Sequence, residues 1–201
     1  MDIKKLLLAT NNSGKVDEMR AILVHLNLLL LTPADLGLDL QVREDGETYA
    51  ENASLKAIAF AEASGLTSLA DDSGLEVDVL GGQPGLHSHR FAPWPEATDS
   101  DRRIYLLKKL QDKVRPWLAH FHASVALVQP GGTVRVANGE CAGEIIPEER
   151  GTNGFGYDPI FFFPSLGHTM AELSMQEKNR LSHRASALRN AEGIISELLG
   201  I

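Results

Sequence analysis

Four apolar residues, Leu6, Leu7, Leu8 and Ala9, run straight into the polar stretch Thr10-Asn11-Asn12-Ser13-Gly14-Lys15. The apolar run is the length of a short buried strand, and the Gly-containing stretch after it marks a turn. Val16, Met19, Ile22, Leu23 and Leu26 then recur at three- and four-residue intervals, which puts them on one face of an amphipathic helix. Strand, polar turn and helix in that order commit the chain to an α/β fold class from its first unit.

The rest of the chain continues this alternation. Residues 28–31 read as a second short strand, and residues 49–63 as an Ala-rich helix approached by Glu44, Asp45, Gly46 and Glu47. Residues 68–70 read as a buried strand that ends where Asp71, Asp72, Ser73 and Gly74 emerge into a loop. Gly, Pro and His make residues 81–95 irregular, and helical spacing returns over 101–110 through Ile104, Leu107 and Leu110. Residues 120–128 and 133–137 suggest antiparallel strands around Gln129-Pro130-Gly131-Gly132, so the sheet is expected to be mixed. A Gly-rich segment at 151–158 precedes the apolar residues 160–163, and the chain ends in helix, with a break near Ser182, where the serine is placed to cap a final stretch. A chain of 201 residues can bury one sizeable core, so a single domain over residues 1–201 is expected.

Charge and cysteine content narrow the function. Nineteen Lys and Arg against 27 Asp and Glu give a net charge of −8, which argues against a broad grip on nucleic acid or on an anionic membrane. Any phosphate must therefore be bound locally. Cys141 is the only cysteine, so no internal disulfide and no Cys-rich zinc site can form, and a reducing cytoplasm fits. No apolar run is long enough to span a bilayer and no signal-peptide pattern opens the chain, so the protein is expected to be neither exported nor membrane-embedded.

Several segments carry residues suited to phosphate chemistry. A strand-turn-helix unit offers backbone N–H groups and a helix N-terminus to an anion, and Thr10 to Lys15 has that chemistry. The spacing is not that of a Walker A loop, since Lys15 is followed by Val16 and only one glycine precedes it. Alone, the turn is more often a helix cap than a phosphate cradle. Magnesium takes hard oxygen ligands, one or two carboxylates plus substrate phosphates, and Glu44 and Asp72 are candidates. Adjacent Asp71 and Asp72 repel each other unless a cation or backbone donors compensate, or they simply begin a turn. Lys56, on the helix after Glu44, either faces this cluster or is solvated.

His120 and His122 share a strand face, as would His87 and His89 if extended, but no third ligand stands at a suitable distance, so these read as surface or hydrogen-bonded histidines. Gly151-Thr152-Asn153-Gly154-Phe155-Gly156-Tyr157-Asp158-Pro159 combines three glycines with two aromatics. Such a loop lets backbone approach a flat ligand while a ring stacks on it, and it serves equally as a hairpin corner. His183 and Arg184 supply donors able to read a keto oxygen, or form a polar helical face.

Together these segments resemble the inosine triphosphate pyrophosphatase family, also called Ham1-like. The resemblance runs in order through residues 8–15, Glu44 with residues 48–57, residues 70–77, residues 154–159, and residues 177–184. It implies an elongated α/β fold with a mixed sheet, two lobes around a central nucleotide-binding cleft, and a homodimer. It also implies hydrolysis of non-canonical purine nucleoside triphosphates such as ITP, dITP and XTP to the monophosphate and pyrophosphate, with Mg2+ as cofactor. Residue by residue, it implies that Thr10, Asn11, Asn12, Ser13, Gly14 and Lys15 hold the triphosphate, that Glu44 and Asp72 bind the metal, that Asp72 accepts a proton and that Lys56 lies near the phosphates. Ser73, Phe155, Gly156, Tyr157, Asp158, Lys178, His183 and Arg184 would contact the nucleotide, Phe155 by stacking and His183 with Arg184 at the keto edge. The chain departs from the family pattern after Pro84 and Gly85, where Leu86-His87-Ser88-His89-Arg90 replaces Tyr-Ser-Ala-Arg. Two other readings stand beside this one: a nucleotide sensor without turnover, and a pyrophosphatase for modified pyrimidine nucleotides.

Overall fold

The computed structural model describes residues 3–201. Among these, strands β1 (Lys5–Leu8), β2 (Leu29–Leu31), β3 (Ser68–Val77), β4 (Trp117–Val128), β5 (Arg135–Ile145), β6 (Phe161–Phe163) and β7 (His168–Thr169) form one sheet in the order β2-β1-β3-β4-β5-β6-β7. β1 is parallel to β2 and to β3, whereas β6 is antiparallel to β5 and to β7, so the sheet is mixed as expected. The helices are α1 (Ser13–Leu23), α2 (Tyr49–Ser64), α3 (Asp99–Leu110), α4 (Met175–Leu181) and α5 (His183–Leu199). No helix among the described residues is long and apolar enough to cross a membrane.

The chain divides into two compact units, one of residues 1–72, 123–139 and 184–201, the other of residues 73–122 and 140–183. In the first unit the continuous apolar run of β1 has a direct explanation. Successive strand side chains point to opposite faces, and both faces are covered. Leu6 and Leu8 join Leu69 and pack with Val16, Met19 and Leu23 of α1 and Leu188, Ala191 and Ile195 of α5. Leu7 and Ala9 join Ala70 and pack on Ala53, Ala57, Phe60 and Ala61 of α2. The small alanines of α2 let the helix lie close on the strands. Its ends are defined by Thr48, whose side chain accepts from the Glu51 amide, and by left-handed Gly65.

The second unit packs Leu106 and Leu110 of α3 with Leu75, Val77, Trp117, Ala119, Phe121, Ile145 and Phe161. Thr98 opens α3 with a reciprocal capping box to Asp101. Residues 85–90, within the stretch expected to be irregular, form a 3-10 turn, so His87 and His89 are not extended and do not share a strand face.

Two further expectations are corrected. The strand expected to end at Ala70 continues to Val77, so Asp71 and Asp72 lie inside β3 rather than at its exit. The expected strand at 133–137 extends as β5 to Ile145 through Gly139 and Gly143, residues that weaken a strand pattern in sequence, and Gly143 allows close approach. A Cβ on Gly143 would lie 2.6 Å from the Phe162 carbonyl oxygen. The break between α4 and α5 falls at Ser182, as expected, and Ser182 is extended.

Candidate active site

β3 builds the first part of the site by alternation. Asp71 and Asp72 are adjacent in sequence, so their side chains leave opposite faces of the strand. Asp71 is buried, with Oδ1 3.1 Å from Lys15 Nζ and Oδ2 accepting from Arg184 Nε at 2.9 Å. Arg184 is itself buried and bonds Glu18 of α1 through Nη1. Burial alone would push the Asp71 carboxyl up, but the Lys15 and Arg184 cations, with Lys56 beyond them, hold it well below the carboxylate range. Burial also lowers the Lys15 ammonium, and the Asp71 charge opposes that shift.

Asp72 faces a different environment. Its Oδ2 accepts from Asn52 Nδ2 at 3.2 Å, and its Oδ1 lies 3.9 Å from Lys56 Nζ. Lys56 Nζ also sits 2.7 Å from Glu44 Oε1 and donates to the Asp71 backbone carbonyl at 2.7 Å. The structure thus brings Glu44, Lys56 and Asp72 together, within one unit. Burial raises the Asp72 carboxyl above its ordinary value and the Glu44 charge adds to this, against the pull of Lys56 and Lys15. The two carboxylates of β3 are therefore pushed apart, Asp71 locked as an anion and Asp72 more basic.

The turn between β1 and α1 is polar and capped from within. Asn12 Oδ1 accepts from the Lys15 amide at 3.1 Å, and the Asn12 amide donates to Thr10 Oγ1 at 3.2 Å. Asn11, Asn12 and Ser13 are exposed, and Gly14 is half-buried. The helix-cap role is thus present, on a turn whose residues are open to solvent at the start of a helix, where an anion is favoured.

The second unit holds the remaining candidates. Lys178 Nζ pairs with Asp158 Oδ2, which also accepts from the Phe155 amide at 2.9 Å, and the ammonium lies 4.9 Å from the centre of the Phe155 ring. Gly154 adopts φ +75°, and a Cβ there would collide with the Asp158 carboxylate. Gly154→Ala is expected to cost about 1–3 kcal/mol of stability, measured by urea unfolding; wild-type stability would contradict the contact. Tyr157 is buried and its hydroxyl donates to the Ser88 carbonyl at 2.8 Å, so the phenol anchors the loop to the altered 85–90 segment.

His183 and Arg184, expected together at one edge of a base, have different partners. Arg184 belongs to the first unit and is engaged by Asp71 and Glu18. His183 belongs to the second, stacked on Phe121 at 4.6 Å between ring centres, with Cys141 Sγ 4.0 Å from its Nδ1. Burial pushes the Cys141 thiol up to about 12, so it stays protonated. Ser73 follows Asp72 on β3 and opens the second unit. His120 and His122 lie near Asp78, Glu76 and Glu140, at 3.5 to 3.7 Å. Among the described residues no three His, Cys, Asp or Glu side chains are grouped to hold a metal by themselves.

Comparison with known proteins places this constellation. The sequence profile of the Ham1 family matches residues 6–193. The chain belongs to the Ham1 family. A dITP/XTP pyrophosphatase of Streptomyces avermitilis is 47% identical over 201 residues, covering 98% of this chain and 99% of its own. One from Thermus thermophilus is 46% identical over 186 residues, 92% of this chain and 88% of its own. A Ham1 protein structure from Coxiella burnetii superposes with a TM-score of 0.86 at 39% identity, over 97% of this chain and 100% of that one.

Within this Ham1 chain, sequence reasoning passed over Glu18, Asn52, Asp99 and Arg103, each of which holds a candidate site residue in place. Glu18 had a signal, since it stands one helical turn from Lys15 beside the apolar Met19. Arg103 had none, because its partners lie 46 and 53 residues away.

Proposed function

We propose that this chain hydrolyses non-canonical purine nucleoside triphosphates, dITP, ITP and XTP among them, to the nucleoside monophosphate and pyrophosphate. The observation that carries this reading is the convergence of Glu44, Asp72 and Lys56 in a Ham1 chain whose near-full-length relatives are named dITP/XTP pyrophosphatases. The donors present fit magnesium: Glu44 and Asp72 offer carboxylate oxygens around a point that already attracts a cation, the Lys56 ammonium, and magnesium completes such sites with water and phosphate. The chemistry that ion supplies when bound is neutralisation of triphosphate charge.

The chain's own residues divide the remaining work. The polar Thr10 to Lys15 turn at the start of α1 binds phosphate oxygens, and Lys15 and Lys56 add positive charge around the departing pyrophosphate. Asp72 takes the proton of a water attacking the α-phosphorus, as the bond from that phosphorus to the bridging oxygen breaks. Asp71 is unsuited to that task, since Lys15 and Arg184 hold its carboxyl too acidic. Phe155 stacks on the purine, and His183 donates to a 6-keto oxygen, which an adenine amino group would leave mismatched. Two copies acting as a homodimer in the cytoplasm complete the proposal. Phosphorus NMR of the products from dITP tests it: dIMP and pyrophosphate are expected, and dIDP with orthophosphate would overturn it.

A further inference from the structure

The loop assigned to the purine is held partly by its own bonds, the Phe155 amide to Asp158 Oδ2 at 2.9 Å among them, and partly from outside. Gly151, Gly154 and Gly156 all have positive φ, and glycine backbone is the freest to leave any one conformation. At Gly156 a Cβ would meet nothing within 4 Å, so glycine is there for its backbone angle of φ +63° and not for want of space. Two contacts from outside the loop bear directly on this residue. The Gly156 amide donates to Asp99 Oδ2 at 2.7 Å, and the Gly156 carbonyl accepts from Arg103 Nη1 at 2.8 Å. Asp99 and Arg103 are four apart at the start of α3 and so project from one face of the helix.

The two grips are themselves braced. Arg103 makes a forked pair with Glu149, Nε to Oε1 at 2.9 Å and Nη2 to Oε2 at 3.0 Å, so one guanidinium holds the chain before the glycines and within them. Asp99 Oδ1 accepts from Arg102, whose other nitrogen donates to the carbonyls of His89 at 3.0 Å and Ala97 at 2.6 Å. Asp99 is thereby tied to the 85–90 turn, which also holds Tyr157.

We propose that the first turn of α3, through Asp99 and Arg103, preorganises the Gly154–Asp158 loop, and that Arg103 is a specificity-determining positioning residue that touches no reacting atom. The proposal rests on the purine reading of that loop. A loosened loop must be ordered each time a base binds, so the loss falls on purine affinity and selectivity. Phosphate chemistry assigned to the other compact unit is untouched.

Steady-state kinetics with dITP, XTP and ATP on R103M, R103K and D99N, with inhibition by inorganic pyrophosphate, test this. R103M should raise KM for dITP and XTP by about tenfold, the worth of one charge-assisted hydrogen bond, and narrow the preference over ATP. Its kcat and pyrophosphate inhibition constant should stay near wild type. R103K keeps one donor and should recover part of the loss, and D99N should show the same pattern if R103M does not fold. Unchanged KM in R103M and D99N, or KM and pyrophosphate inhibition weakening together, would overturn the clamp. A wild-type protein that releases no pyrophosphate from dITP defeats the functional reading itself; active wild type with unaltered variants defeats only this inference.

Discussion

Asp72→Asn should lower kcat by about 10²–10⁴-fold, the range expected for loss of a positioned general base, and should raise the melting temperature at neutral pH. The two effects share one cause. Burial, reinforced by Glu44, raises the Asp72 pKa above its unfolded value of 3.8 despite Lys56 and Lys15. The folded protein therefore holds the proton more tightly than the unfolded chain, a stabilisation present below the unfolded pKa and lost as pH rises through the folded one. At neutral pH an ionised Asp72 weighs on the fold, and Asn removes that charge while keeping its shape. Turnover near wild type would remove Asp72 as proton acceptor, and a lower melting temperature would contradict the burial argument.

Arg184→Met should cost about 3–5 kcal/mol of stability, because removing one partner of a buried ion pair strands the other. Here two buried carboxylates lose a cation, Glu18 and Asp71, which are 2% and 1% exposed, and Asp71 keeps Lys15. In the wild type, burial would raise Asp71, but Lys15 and Arg184 hold it below its unfolded value of 3.8. Its contribution is present above that value and lost as pH falls through the folded pKa. Urea unfolding of both proteins across acid and neutral pH should show the gap shrinking on the acid side, where these two carboxylates can take up protons. A difference below about 1 kcal/mol at neutral pH would mean that the buried cluster is not a paired one.

The first strand, turn and helix were legible because β1 is buried on both faces and α1 on one, so the apolar pattern reports burial directly. Residues 49–63 were legible as α2 because propensity and packing agree there: the alanines that favour helix are also those that fit against the strands. β3 was cut short because a buried Asp-Asp pair reads as a turn until its cations are known, and those come from Lys15, Lys56 and Arg184, far along the chain. β5 was cut short by glycines that the sheet requires. At the site, carboxylates and lysines were readable as types. Which of them meet was not readable, since Lys15 to Asp71 and Arg184 to Glu18 are long-range contacts. The same limit hid Arg103.

The most direct test of the central claim is kcat/KM for pyrophosphate release from dITP, XTP, ATP, GTP and dUTP, each with magnesium and with a chelator. Release that depends on magnesium and favours dITP and XTP is the predicted result. Binding of dITP without release, or preference for dUTP, would contradict it.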